Sequence, residues 1–214
     1  MILLTCARMP DLLDKNTLAI AVGLLFPAPE NQSYIEEIRN RKDDFSACES
    51  LFALALLYEQ LRELPCPPID PSSLIFARNE FGKPGFKDSD VRFNISHSKG
   101  YVACAVSVGE ELGVDVEASD IPPERACKLA ERYFCKSDSI AVKKAPHIFS
   151  QIWSEKEARA KFFGNSIGNI LSSDKNSNYN EAIEDIILHR FKFEEIPVTL
   201  CTKRNYSTII YTVQ

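Results

Sequence analysis

Arg92-Phe-Asn-Ile-Ser-His97-Ser-Lys-Gly100, then Tyr101-Val-Ala-Cys-Ala-Val-Ser-Val108, then Gly113-Val-Asp-Val-Glu117 is the stretch on which the fold reading turns. Apolar and β-branched runs broken by short polar or glycine turns predict three successive strands, Val91–Ile95, Tyr101–Val108 and Leu112–Glu117. Residues two apart on a strand share a face. Asp115 and Glu117 therefore aim two carboxylates at one point, while Val114 and Val116 face the core. Such a pair suits a hard cation like Mg²⁺, which leaves its other positions to water and phosphate oxygens.

Composition sets the outer limits. At 214 residues the chain can bury a proper core, as one large domain or two small ones. With 45% apolar and 26% charged residues it falls in the soluble globular class. A net charge of −5 argues against general nucleic-acid binding, which depends on neutralising phosphates. Seven cysteines, scattered and without Cys-x-x-Cys, indicate neither a disulfide framework nor a zinc site, so reduced thiols are expected. Leu18–Phe26 is too short to span a bilayer and follows Asp11 and Asp14 rather than a basic segment. Neither a membrane segment nor a signal peptide is expected, and the expected location is the cytoplasm.

Outward from the central stretch, Ile2–Thr5 reads as an opening strand. A basic run holds Arg39, Arg41 and Lys42. A long helix follows, for which Ser46 and Glu49 make a capping box, and Leu51, Leu54, Ala55, Tyr58 and Leu61 line one face. It ends before Pro65-Cys-Pro-Pro. Ser73–Arg78 reads as a short strand and Phe81-Gly-Lys-Pro-Gly-Phe86 as a turn. Pro122 and Pro123 open a helix over Glu124–Phe134, and a second helix runs from about His147 to Phe163, where Gly164 stops it. Ser172–Asn180 reads as a polar loop, and Ile186–Phe193, Pro197–Cys201 and Ser207–Val213 as closing strands. Irregularly interspersed elements favour α+β with antiparallel pairing.

Taken singly, each candidate residue has an ordinary explanation. Asp115-x-Glu117 is most often a solvated strand face. Glu157 and Lys161 form an i,i+4 surface pair, as do Glu155 and Arg159, although Trp153 at the head of the stripe argues that this face is buried. His97 in Ser-His-Ser is most often a local hydrogen-bonding turn residue, and Lys83 in Gly-Lys-Pro an exposed turn lysine. No phosphate-binding Gly-x₄-Gly-Lys loop and no nucleophile elbow is present.

In order and spacing the motifs are far more specific. Gly82-Lys-Pro84, Phe93-Asn-Ile-Ser-His-Ser98, Gly113-Val-Asp-Val-Glu117, Glu131-Arg-Tyr-Phe134 and Trp153-Ser-Glu-Lys-Glu-Ala158, with Lys161 and Gly164, resemble the 4'-phosphopantetheinyl transferases. The resemblance is to the longer class, with two similar halves in one chain. It implies an α+β fold of two similar subdomains with antiparallel sheets related by a pseudo-twofold. These are a coenzyme A-binding N-terminal half, 1–106, and a C-terminal half, 107–214, carrying the metal and the catalytic helix.

The activity it implies is Mg²⁺-dependent transfer of the phosphopantetheine arm of coenzyme A to a serine of an apo acyl or peptidyl carrier protein, releasing adenosine 3',5'-bisphosphate. By the same resemblance Asp115, Glu117 and Glu157 are the metal carboxylates, with Mn²⁺ an alternative ion, and Glu157 is also the base for the serine hydroxyl. His97 and Lys161 match coenzyme A phosphate contacts and act in the catalysis. Lys83 and Ser96 match further coenzyme contacts, and Lys156 matches by identity alone. Many relatives hold the 3'-phosphate with an arginine where Glu49 stands here, so Arg39, Arg41 or Lys42 is the expected substitute.

A monomer is expected, without nucleic-acid or membrane partners. Arg125, Lys128, Arg132, Lys143 and Lys144 form a candidate surface for an acidic carrier, or simply a solvated helix face. Two other readings stay open: a catalytically idle relative that binds coenzyme A or a carrier protein, and an unrelated Mg²⁺-dependent phosphohydrolase.

Overall fold

The strand Tyr101–Val108 is apolar at nearly every position because both of its faces are covered. Toward one side, Val102, Cys104 and Val106 join the core beneath the N-terminal helices. Toward the other, Ala103 and Ala105 meet Leu112, Val114, Val116, Val198 and Leu200 of a second sheet. The computed structural model describes residues 1–64, 69–176, 185–203 and 208–214.

In chain order the elements are β1 (Ile2–Arg8), α1 (Lys15–Leu25), α2 (Pro29–Arg39), α3 (Asp44–Glu63), β2 (Phe76–Arg78), β3 (Pro84–Phe86), β4 (Val91–Ser98), β5 (Tyr101–Val108) and β6 (Leu112–Val116). There follow α4 (Pro123–Tyr133), α5 (Lys136–Lys144), α6 (Phe149–Phe163), α7 (Ile167–Asn176), β7 (Ile186–Phe193), β8 (Ile196–Lys203) and β9 (Ile209–Val213). The first sheet has the order β4-β5-β1-β9, the second β6-β8-β7, and β2 pairs only with β3. Among the described residues every pairing is antiparallel except β1 with β9. The expected α+β class with antiparallel sheets is observed. The position 106/107 lies inside β5, and β9 returns from the far end of the chain to the first sheet.

Three local expectations are corrected. The long helix begins at Asp44, and its N-cap is Asp43, whose carboxylate accepts from the Phe45 and Ser46 amides. Ser46 is thus inside the helix, and Glu49 caps nothing. The polar run from Ser172 is helical through α7, because Ile170 and Leu171 bury one side of it and Asp174 is taken up by Lys156 and Arg159, while Ser172 and Lys175 face water. The rest of that run, 177–180, lies outside the described residues, as do Pro65–Pro68 and Ser207. Glu155 and Arg159 do not pair with each other; Glu155 takes Arg190 and Arg159 takes Asp174.

α6 is the element that positions the candidate site, and it is pressed unusually close to β6. A Cβ on Gly113 would lie 2.2 Å from the Ala158 carbonyl oxygen and 2.3 Å from the Phe162 amide, so only glycine fits. Ser154 secures the same face, its hydroxyl lying 3.3 Å from the Asp115 carbonyl oxygen and 3.0 Å from the Thr199 hydroxyl. On its outer side α6 is braced by buried charge. Lys156 reaches Asp138 of α5 at 2.8 Å and Asp174 of α7 at 2.7 Å. Burial alone would push the Lys156 ammonium down, and these two carboxylates outweigh it and leave it raised. Gly164 ends the helix in the left-handed region, φ 63°, as expected.

Candidate active site

β4 carries a polar residue at every second position, and those side chains stitch the two sheets together. Asn94 accepts from the Val114 amide at 2.8 Å, Ser96 donates to Asp115 Oδ1 at 2.8 Å, and Ser98 accepts from the Ala118 amide at 3.1 Å. The opposite face of β4 presents Phe93, Ile95 and His97, with Phe93 and Ile95 in the core below α3. Ser96 and His97, adjacent in sequence, consequently serve different places.

On the Ser96 side, Lys161 of α6 puts its Nζ 2.7 Å from Asp115 Oδ1 and 2.8 Å from Ser96 Oγ. Asp115 is buried, and its second oxygen, Oδ2, has no hydrogen-bond partner. Glu117 is half-buried and accepts from the Ser119 amide at 2.8 Å. Burial pushes the Glu157 carboxyl above its ordinary range; Lys161 pulls it back, and the charges of Asp115 and Glu117 push it further up. Trp153 donates a hydrogen bond to Glu157 and stacks on Phe149, so the stripe Trp153–Glu157–Lys161 faces inward. This is a site of excess negative charge: three carboxylates that feel one another, and one ammonium.

That chemistry fits a divalent cation. An unpartnered buried carboxylate oxygen is costly unless something compensates it, and mutual repulsion among acids is what a metal ion relieves. Among the described residues, however, no three His, Cys, Asp or Glu side chains already stand close enough to hold an ion. Lys161 and Ser96 both take Oδ1 of Asp115, so the donors are gathered but not arrayed.

On the His97 side, Nδ1 lies 2.9 Å from Glu49 Oε2 and Nε2 2.9 Å from Ser50 Oγ. Arg41 donates to Ser50 at 2.7 Å. Of the basic run, Arg41 thus joins His97, Arg39 pairs with Glu36 of its own helix, and Lys42 is exposed. Lys83 is elsewhere again. Its ammonium donates to Glu111, to the Leu112 carbonyl and, at 3.5 Å, to the Phe162 carbonyl at the end of α6. The structure thereby brings together Ser96, Asp115, Glu117, Glu157 and Lys161, places His97 with Arg41 across β4, and gives Lys83 a bracing position. Glu49, noted for standing where relatives carry a phosphate-binding arginine, faces His97; Ser50 and Asn94 were not foreseen here, although the period-two polar pattern of 94, 96 and 98 was available as a signal.

No protein-family model matches the chain. Among curated proteins, the 4'-phosphopantetheinyl transferase gsp of Aneurinibacillus migulanus is 30% identical over 169 residues, covering 77% of this chain and 66% of that protein. The putative 4'-phosphopantetheinyl transferase slr0495 of Synechocystis is 31% identical, over 65% of this chain and 55% of that protein. The 4'-phosphopantetheinyl transferase Sfp of Bacillus subtilis is 34% identical, over 49% and 48%. The chain thus spans between about half and two thirds of the length of these relatives. With several such transferases matching and the motif residues gathered across the junction of the two sheets, the chain belongs to the 4'-phosphopantetheinyl transferase superfamily.

Proposed function

We propose that the protein is a holo-carrier-protein synthase of the longer, two-halved class: it transfers the 4'-phosphopantetheine arm of coenzyme A to a serine of an apo acyl or peptidyl carrier protein. The observation that carries this reading is the convergence of Lys161 and Ser96 on Asp115, with Glu117 and Glu157 beside it. A division into halves, 1–106 and 107–214, is part of the proposal, supported by the packing of one long helix on each sheet, α3 on β4 and β5 and α6 on β6 and β8. A pseudo-twofold relation between them is part of the proposal.

A Mg²⁺ or Mn²⁺ held by Asp115, Glu117 and Glu157 would neutralise charge on the coenzyme pyrophosphate. The chain's own groups supply the rest. Lys161 offers a fixed ammonium to the same phosphates as their charge shifts toward the leaving group. Glu157, with its raised proton affinity, takes the proton of the carrier serine. The serine oxygen bonds to the β-phosphorus, the bridging P–O bond breaks, and adenosine 3',5'-bisphosphate leaves with the electron pair. His97 and Arg41 hold a coenzyme phosphate on the other side of β4, while Lys83 braces the end of α6 against β6. The exposed cations Arg125, Lys128, Arg132 and Lys144 of α4 and α5 offer an acidic carrier a surface; Lys143 there is paired with Glu131. The protein works as a cytoplasmic monomer.

The test is incubation with an apo carrier protein, coenzyme A and Mg²⁺, read by intact mass. Addition of the arm to serine is expected. Failure with several unrelated carriers would refute the proposal, and coenzyme A binding without transfer would favour a binding module instead.

A further inference from the structure

His97 is enclosed by polar partners that form one directed series. Glu49 is buried at 4% exposure and uses both carboxylate oxygens. One faces His97 Nδ1 at 2.9 Å, and the other accepts from the Gly100 amide at 2.6 Å. That amide belongs to the left-handed turn Lys99–Gly100, φ 50° and 85°, joining β4 to β5, so its direction is set by the backbone. A carboxylate only accepts, so the ring nitrogen facing Glu49 carries the proton. Ser50 accepts from Arg41 with its lone pair, which leaves its own hydroxyl proton for Nε2. Donors therefore run from Arg41 to Ser50, from Ser50 to His97, and from His97 to Glu49.

We infer that Glu49 is a positioning residue: it fixes the ring plane and the Nδ1–H tautomer of His97, so that Nε2 accepts the Ser50 hydroxyl proton and Arg41, held by Ser50, is the donor offered to an anion bound beside them. The carboxylate lies behind the ring, on the far side from Arg41. A negative residue is thereby accommodated in a site that serves a phosphate. The identity of that anion, a phosphate of coenzyme A, rests on the proposed transfer reaction; the role of Glu49 does not.

Replacing Glu49 by glutamine makes the role measurable. The Gly100 amide is fixed and claims the amide oxygen, so the new NH₂ faces Nδ1 and donates to it. The ring must then carry its proton on Nε2. Long-range ¹H–¹⁵N spectra of imidazole-labelled protein, with His97 assigned by its loss in His97→Asn, should show Nδ1–H in the wild type and Nε2–H in Glu49→Gln. A wild-type ring protonated at Nε2 alone, or a tautomer unchanged by the substitution, would overturn the inference. Calorimetry with adenosine 3',5'-bisphosphate adds the functional readout. Glu49→Gln should tighten binding by up to about tenfold, because an Nε2–H donating to Ser50 frees the Ser50 hydroxyl proton for the anion. The double variant with His97→Asn should lose that gain. A gain that persists without the ring would show that Glu49 does not act through His97. A wild type that binds no bisphosphate would refute the coenzyme reading, while the spectra would still decide on Glu49.

Discussion

Lys161 Nζ lies 2.7 Å from Asp115 Oδ1, while Oδ2 of the same buried carboxylate has no hydrogen-bond partner. One ammonium is thus set against three carboxylates, and the shortfall of positive charge has a definite address.

A divalent ion should fill it. Thermal unfolding in Mg²⁺ should give a higher Tm than in EDTA, since a ligand at a hundred times its Kd stabilises by about 2.7 kcal/mol. Asp115→Asn should abolish the difference. Identical Tm values with and without Mg²⁺ for the wild type would argue that these acids hold no ion.

Glu157→Gln should reduce transfer by at least about a hundredfold, the usual scale for losing a general base. Its Tm in EDTA should not fall, because the wild-type carboxyl is buried and repelled by Asp115 and Glu117. A variant with full transfer activity would refute the assignment of the base.

Gly113→Ala tests the seat of α6. Its methyl would collide with backbone at Ala158 and Phe162, which cannot step aside as a flexible side chain can. A loss of about 1–3 kcal/mol or more in urea unfolding is expected. Transfer should drop further than stability does, because Glu157 and Lys161 ride on the displaced helix. An alanine variant of wild-type stability would show that α6 is not packed so tightly on β6.

Alkaline pH should weaken the fold. Burial pushes the Cys6 and Cys201 thiols to about 12 from 9.0. A group with a raised folded-state pKa contributes fully below its unfolded value and loses that contribution as pH rises toward the folded one. Stability should therefore fall between about pH 9 and 12, joined at the upper end by Lys156, whose pKa is also raised. Urea midpoints across this range should decline, and replacing Cys6 and Cys201 with alanine should flatten the decline. A midpoint constant to pH 11 would contradict this account.

Much of the site could be read from spacing because its carboxylates sit on regular elements: alternation placed Asp115 beside Glu117, and four-residue steps aligned Trp153, Glu157 and Lys161. What could not be read depends on contacts distant in sequence. Glu49 looked like a capping residue three positions after Ser46, yet Asp43 caps the helix and Glu49 answers a turn amide at Gly100. Glu155 and Arg159 had ideal helical spacing, but Arg190 and Asp174 approached from other elements and outcompeted that local pair. Lys83 gave no sign in its Gly-Lys-Pro turn that it would reach a helix end at Phe162.

The parallel pairing of β9 with β1 has a consequence for synthesis. Ile2 and Ile209 are register partners although about two hundred residues separate them. As the chain emerges from the ribosome, β1 can pair with β5 on one side while its other edge stays open, a bare strand able to recruit a neighbouring chain. The open edge closes only when β9 arrives. Nascent chains stalled before Ile209 should therefore be the aggregation-prone population, a vulnerability of the time of making rather than of the finished molecule.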